Sequence, residues 1–525
     1  MKRIIAWILA LIMCISLVAC NNGNTDITFP STDETINGGA TNGASSELDK
    51  HEDENSDKYC DICGISVVTT FDFYAINDLH GKFVNSSNTV GVEGLTTYLK
   101  RSAAADDNPI FLSSGDMWQG GSQSNLTKGL IITDWMNSMG FASMTLGNHE
   151  FDWGEDYVEA NADAAKFPFL AINIYERSTN KPVDYCDASV VIECNGIQVG
   201  IIGAIGNCYS SISSDKVQDI YFKTGSELTA LVKQESEKLR SEGVDIIVYS
   251  LHDGYSQSSS GVTAIGNTAL ASYYDVALSN GYVDIVFEGH SHRGYVMRDT
   301  RNVYHLQNSG DNGGISHAEI EYNFANGEHS ITQAEHVPSS AYRNLDADPL
   351  VNDLLTKYDD VISKASEVLG VNDAQRSGNA LRSLVAQLYF EKGIERWGDK
   401  YNIVLGGGFM TVRSPGYLRA GTITYGDLQA IFPFENEIVL CSVKGRELSS
   451  KFINSTNSNY FIYCGEYGNS IKNSIDCNAT YYVITDTYSA QYAPNKLTVI
   501  ESYGAKTFAC DLLADYIRGG GMTNK

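Results

Sequence analysis

Positive charge is scarce in this chain. Its 525 residues carry 37 Lys+Arg against 64 Asp+Glu, a formal net charge of −27. That excess excludes nonspecific binding to a nucleic-acid polymer, which needs a basic surface to displace counterions. It also excludes adsorption to anionic lipid headgroups. Cysteine is thin as well, and 11 in 525 residues exclude a small disulfide-built scaffold. The apolar run Ile4–Val18 falls short of the roughly 20 residues that a membrane-spanning helix needs. What remains is 43 % hydrophobic, too apolar for a wholly disordered chain. At roughly 150 residues per domain, the length accommodates two to four domains with their own cores.

Met1-Lys2-Arg3, the short apolar run and a small residue before Cys20 describe a secretory signal peptide over residues 1–19. Leu17-Val18-Ala19-Cys20 resembles the bacterial lipoprotein lipobox. The resemblance implies cleavage before Cys20, lipidation of its thiol and a lipid anchor at the outer face of the cytoplasmic membrane. An ordinary signal peptide with an incidental cysteine is the alternative. Residues 20–66 read as a disordered acidic tether rich in Asn, Thr, Ser and Gly. Cys60-Asp61-Ile62-Cys63 near its end has half of a zinc-knuckle spacing, and Asp53, Asn55 and Asp57 have half of a calcium-loop spacing. With no second CxxC and no closing glutamate, a local disulfide or stalk module is the favoured reading. Beyond Cys14 and Cys20 nine cysteines remain, an odd number, and Cys186 and Cys194 flank a hairpin-like stretch that would let them pair.

From Val67 the chain alternates short apolar runs with helical patterns, as α/β layers do. Five runs end in residues that only a site needs. Phe71–Ile76 leads into Asn77-Asp78-Leu79-His80, Pro109–Leu112 into Ser114-Gly115-Asp116, and Ala142–Leu146 into Gly147-Asn148-His149-Glu150-Phe151-Asp152. Asp245–Ser250 leads into Leu251-His252, and Val283–Phe287 into Gly289-His290-Ser291-His292. Buried strands hold their ends fixed, so the loops beyond them converge. Those loops bring Asp78, His80, Asp116, Asn148, His252, His290 and His292: oxygen and imidazole ligands suited to Zn, Mn or similar divalent ions. Seven ligands exceed one tetrahedral ion, so two are indicated, with a carboxylate such as Asp116 between them. Two ions about 3.5–4 Å apart form a clamp for in-line attack on phosphorus. His305 and His317 lack the glycine-rich turn and read as structural.

Asp-x-His, Gly-Asp, Gly-Asn-His-Glu, His and Gly-His-x-His in this order resemble the calcineurin-like dinuclear metallophosphoesterases. Gly147–Asp152 further resembles the 5′-nucleotidase and UDP-sugar hydrolase family, from Val67 to the C-terminus. The resemblance implies a four-layer α/β/β/α sandwich over 67–340, a linker helix within 341–370 and a smaller α/β substrate-binding domain over 371–525. It implies one ion on Asp78, His80, Asp116 and His292, a second on Asp116, Asn148, His252 and His290, and a catalytic pair of His149 and Asp152. The competing reading makes Asp152 a helix N-cap.

In the second half, Asp348-Pro349 opens a helical pattern running to about Val368, Leu381–Trp397 is an amphipathic run, and Asn402–Leu405 is a short strand. Gly406-Gly407-Gly408 after that strand permit close approach of a ligand to the backbone. Gly421–Asp427 and Phe432-Pro433-Phe434-Glu435-Asn436 look like the family's C-terminal domain. By that match Gly407 and Gly408 approach substrate, Phe434 stacks on a nucleobase and Asn436 bonds its edge. Tyr488, on the strand beginning at Tyr481, covers the other face. Two departures stand out. Four residues, Phe409–Val412, separate the glycines from Arg413, which is preferred over Arg419 as the family's arginine, and Ser489-Ala490-Gln491 replaces Gly-Gly-Asp.

The expectation is an extracellular lipoprotein that uses two divalent ions to release phosphate from nucleoside 5′-phosphates. A 2′,3′-cyclic phosphodiesterase with 3′-nucleotidase activity, a UDP-sugar hydrolase and an inactive surface-binding lipoprotein are the alternatives. The bulk acidity excludes a polymer but not a nucleotide, because two divalent ions supply four positive charges where the phosphate must sit.

Overall fold

The computed structural model describes residues 52–85, 90–105, 109–254, 282–299, 301–413, 415–454, 460–465, 471–492, 497–504 and 507–523. The expected signal peptide, the lipidation site Cys20 and the tether as far as His51 lie outside them. The rest of the tether departs from a spacer. Asp57 N donates to Asp53 Oδ1 (3.0 Å) and Asn55 Oδ1 (2.9 Å), Tyr59 bridges Ser66, and Cys60 is buried. Short Asp and Asn side chains capture nearby backbone N–H groups and build local structure without an apolar core, which composition alone does not register.

Two six-stranded sheets face one another. The first runs Glu328–Pro338, Gly314–Asn323, Val68–Ile76, Ile110–Ser113, Ser143–Thr145, Phe169–Leu170. The second runs Tyr295–Arg298, Tyr304–Gln307, Ile285–Glu288, Ile246–His252, Ile197–Ile205, Ser189–Cys194. Strand alternation assigns the faces. Phe71, Phe73 and Ala75 point between the sheets, where they meet Ile201, Val248 and Phe287. Tyr74 and Ile76 point outward onto Leu95, Trp135 and Val158 from the helices Val92–Ala105, Leu130–Met139 and Glu155–Ala164. The second sheet turns Ile202, Ile247 and Tyr249 onto Leu228, Val232 and Leu239 of helix Ser226–Ser241. This is the four-layer sandwich. In each sheet the central strands are parallel, so their carboxyl ends share one edge, where ligands of α/β folds gather.

The linker is not one helix to Val368. Asp348 caps Pro349–Lys357 by accepting from Leu350 N (2.9 Å); a short helix, Asp359–Ile362, and a tighter turn follow, and Val368–Asn372 is a strand. Tyr342, Val351 and Leu354 belong to the first domain's core, whereas Leu369 belongs to the second's.

The second domain holds a five-stranded sheet in the order Tyr460–Tyr463, Ile403–Phe409, Thr480–Asp486, Ile438–Lys444, Thr498–Ser502. Helices Gly378–Trp397, Tyr425–Ile431 and Ala509–Arg518 pack on it. The glycine triplet lies inside its strand rather than after it. A Cβ on Gly406 would stand 2.3 Å from Phe390 N and one on Gly407 2.1 Å from Phe461 O, so close packing of helix and neighbouring strand already demands glycine there. Tyr488 likewise leaves its expected strand, which ends at Asp486, and sits in helix Thr487–Tyr492. Cys186 does not pair with Cys194: its free thiol donates to Ala171 O (3.7 Å).

Candidate active site

All seven expected ligands meet at the shared strand edge. Asp78 Oδ1 lies 3.2 Å from His292 Nε2 and 3.8 Å from His80 Nε2, and those two nitrogens are 3.0 Å apart. Alongside, Asp116 Oδ2 lies 3.1 Å from His252 Nε2, and Asn148 Oδ1 is 3.3 Å from His252 Nε2 and 3.0 Å from His290 Nδ1. The first grouping thus holds Asp78, His80 and His292 and the second Asp116, Asn148, His252 and His290. Backbone carbonyls orient the rings: His80 Nδ1–H donates to Gln119 O (2.9 Å) and His252 Nδ1–H to Ser114 O (2.6 Å), so each Nε2 is the nitrogen turned toward the cluster.

The residues fit a pair of cations. Asp78 Oδ1 and Asp116 Oδ2 are buried carboxylate oxygens whose neighbours are the ring nitrogens of His292 (3.2 Å) and His252 (3.1 Å), and carboxylate oxygens converging with imidazole nitrogens are a donor set that a divalent cation takes. Asp78, His80 and His292 form one group with donor atoms within 4.8 Å of one another, and Asp78, Asp116 and His252 form another. Burial pushes the Asp116 carboxyl up, but His252 and His149 more than offset this and hold it well below the usual carboxylate range. Burial pulls His252 down, yet Asp116 and Asp78 lift it to about 10, while burial and His252 lower His290 to about 4.

His149 stands beside the cluster, its ring 5.1 Å from His80, and its backbone N–H donates to Asp116 Oδ1 (2.8 Å). Its Nδ1 bonds Asp152 Oδ2 at 2.7 Å, and Asp152 is not an N-cap: helix Glu155–Ala164 starts after Gly154 with no side-chain cap. From the second domain Arg413 Nη2 reaches His149 Nε2 at 2.6 Å, with its guanidinium 5.4 Å from the Phe434 ring and Phe434 5.9 Å from His149. Arg413, not Arg419, therefore reaches the site; Arg419 pairs with Asp427 (3.1 Å). Phe434 and Asn436 line a small cavity of about 30 Å³ with Phe409 and Asp486, whereas Tyr488 packs on Phe409 at 5.9 Å. Gly408 faces Ser489 and Thr485. A cavity of about 670 Å³ between Gly81–Asn85 and Tyr417–Ile431 is lined by none of the site residues described above except Arg419.

Sequence reasoning gave no role to Glu150, although it stands in the Gly-Asn-His-Glu run. Fully buried, it accepts from Asp116 N (2.8 Å), Met117 N (2.8 Å) and Gly147 N (2.7 Å), tying two ligand loops together. Asp311 was missed as well; it lies 3.3 Å from Lys82 Nζ and 3.9 Å from His292 Nδ1, and no motif marks it. His305 and His317 are structural as expected: His305 lies between Glu288 and Asp299, and His317 between Asp72 and Glu335.

Protein UshA of Yersinia enterocolitica is 26 % identical over 419 residues, covering 71 % of this chain and 74 % of that protein. A 5′-nucleotidase of Vibrio parahaemolyticus is 25 % identical over 420 residues, 71 % and 72 % of the two chains. The crystal structure of a 5′-nucleotidase precursor from Thermus thermophilus shares the fold with a TM-score of 0.65, over 87 % of this chain and 97 % of that one, at 18 % identity. The sequence model of the calcineurin-like phosphoesterase family matches residues 71–294. That span runs from the strand delivering Asp78 to the turn holding His292, so every expected ligand falls inside it, and residues 71–294 form a calcineurin-like phosphoesterase domain, that of a metal-dependent hydrolase of phosphoric esters.

Proposed function

We propose that the protein is a lipid-anchored extracellular enzyme that releases phosphate from nucleoside 5′-phosphates. The observation that carries this reading is the meeting of Arg413 and Phe434, from the second domain, with His149 of the first. Phosphate chemistry and a recognition surface thereby share one cleft.

Two divalent cations, held by Asp78, His80, Asp116 and His292 and by Asp116, Asn148, His252 and His290, would neutralise phosphoryl charge and acidify the attacking water. The chain's own groups do the rest. Asp152 accepts the Nδ1 proton of His149 and so presents Nε2 to the substrate. In this structure Nε2 accepts from Arg413; with Arg413 turned to a phosphate oxygen, Nε2 would be free to exchange a proton with the leaving oxygen. Arg413, already against Nε2, supplies a planar pair of donors suited to phosphate oxygens. Phe434 offers its ring to the base, a contact of about 1–3 kcal/mol with little base selectivity; Asn436, which lines the same small cavity, gives the edge contact.

Phosphate release from a panel of nucleoside mono-, di- and triphosphates, 2′,3′-cyclic nucleotides and UDP-sugars tests this, with protein stripped by chelator and reloaded with Zn, Mn, Mg or Ca. Activity on 5′-nucleotides that returns with one metal is expected. No release from any of them with any metal would refute the proposal, and a preference for cyclic or sugar nucleotides would reassign the substrate.

A further inference from the structure

A thiol stands against the second ligand set, and neither the motifs nor the resemblance assigns it a role. Strand Ile197–Ile205 pairs in parallel with Ile246–His252, with Ile205 opposite His252. The chain then turns through Asn207–Ser211, which brings Cys208 back onto the end of the neighbouring strand. Its Sγ lies 2.9 Å from His252 O, and the residue is 4 % exposed. Sγ and one ring nitrogen each of His252 and His290 lie within 4.8 Å of one another. Donors on one zinc ion, at about 2.3 Å for sulfur and 2.0–2.1 Å for nitrogen, stand at most about 4.4 Å apart, so the group is near ligand spacing and closes on an ion by small side-chain shifts.

We propose that Cys208 Sγ is a further donor to the second metal ion, forming with His252 and His290 a face that selects thiophilic divalent ions, zinc above manganese or magnesium. The proposal rests on the two-ion reading of the site. As the metal–sulfur bond forms, the S–H bond breaks and its proton passes to solvent; no oxidation state changes. Sulfur is the softest donor at this centre, and soft donors shift preference toward zinc and away from the oxygen-seeking ions.

The test uses the full chain loaded with two equivalents of Co(II) or Cd(II). A sulfur-to-metal charge-transfer band in the near ultraviolet is expected, absent from Cys208→Ser and retained in Cys60→Ser/Cys63→Ser and in Cys186→Ser. Zinc affinity should fall at least 10-fold in Cys208→Ser while manganese affinity changes less than twofold. Should Cys208→Ser fail to fold, a zinc-edge absorption spectrum of Cys60→Ser/Cys63→Ser decides, with one sulfur near 2.3 Å per pair of ions expected. Uptake of two ions with only nitrogen and oxygen neighbours overturns the role of Cys208 and leaves the two-ion site standing. Failure to take up two ions overturns both.

Discussion

Gly147 is the position where one methyl group separates the fold from the metal site. A Cβ there would lie 2.4 Å from Asp116 Oδ1, 2.7 Å from Asp116 N and 2.8 Å from His252 Nε2. Ordinary contact begins at 3.4 Å, so the neighbours must give way by about 0.6 to 1.0 Å. Metal–ligand distances tolerate only about ±0.2 Å. Asp116 and His252 are both expected ligands, and Glu150 pins the Asp116 backbone from behind, so neither can yield without leaving its place. Gly147→Ala should therefore fold with a loss of about 1–3 kcal/mol, the usual consequence of overpacking. It should also lose metal affinity and activity by about 100-fold or more. The control is Gly140→Ala, at φ +72° with open space around it, which should lose about 1 kcal/mol of stability and keep both ions. Chelator-competition titration with zinc, alongside urea unfolding, reads both quantities. Wild-type affinity for two zinc ions in Gly147→Ala would refute the idea that the backbone here sets ligand spacing.

Other perturbations separate the remaining parts. Asp152→Asn replaces the carboxylate that fixes His149 Nδ1–H by a neutral amide able to turn a donor toward Nδ1, and kcat should fall about 10²–10⁴-fold with zinc affinity unchanged; an unaltered kcat would remove Asp152 from the mechanism. Arg413→Ala should lower kcat/KM for nucleotides about 10²–10³-fold, and Arg413→Lys should not restore it, because a point charge does not replace two parallel donors; full rescue by lysine would contradict that account. Burial pulls His305 down, but Glu288 and Asp299 lift it to about 9, above the 6.5 of the unfolded chain. Its contribution, on the order of 3 kcal/mol, is thus fully present below pH 6.5 and is lost as pH rises through 9. Urea titrations at about pH 6 and 9.5 should show a loss that His305→Gln abolishes, and equal slopes in the two proteins would refute it.

Most of the site was legible because each ligand pair follows an apolar strand, and parallel strands deliver their carboxyl ends to one edge. Asp78, Asp116 and Asn148 come from one sheet and His252, His290 and His292 from the other, so a list of strand ends was already a map of the cleft. The four-layer order was expected from the resemblance alone, and the structure builds it by the alternation that turns Phe73 inward and Tyr74 outward. Where sequence reasoning slipped, contacts distant in sequence decided. Glycine at 406 and 407 signals close approach, but what approaches is helix Gly378–Trp397 and the Phe461 carbonyl. Tyr488 follows a good strand pattern, yet the strand stops at Asp486, whose buried carboxylate accepts Ser489 N (2.7 Å) and starts a helix. Asp311 meets Lys82 from the far side of the first domain's sequence, a separation over which no local pattern speaks.

The backbone at the cleft states the same conclusion independently of side-chain chemistry. Asp78, His80, Asp116, His290 and His292 all have φ between 50° and 71°, a left-handed conformation in which a side chain costs about 1–2 kcal/mol. Five such residues among seven ligands place strain on the order of 5–10 kcal/mol at one strand edge, comparable to the whole stability of a domain. Strain of that size persists only where neighbouring bonds over-determine the loops. Here Asp78 N donates to Gly115 O, His80 N to Asp116 O and His290 N to Asp78 Oδ2, so each ligand loop is hung on another. A glycine at any of the five would relax the backbone and remove a donor, so stability alone would favour it. That aspartate and histidine stand there instead points to a use for their carboxylates and imidazoles, and Asp78, His80 and His292 with Asp78, Asp116 and His252 are the groups that could hold cations.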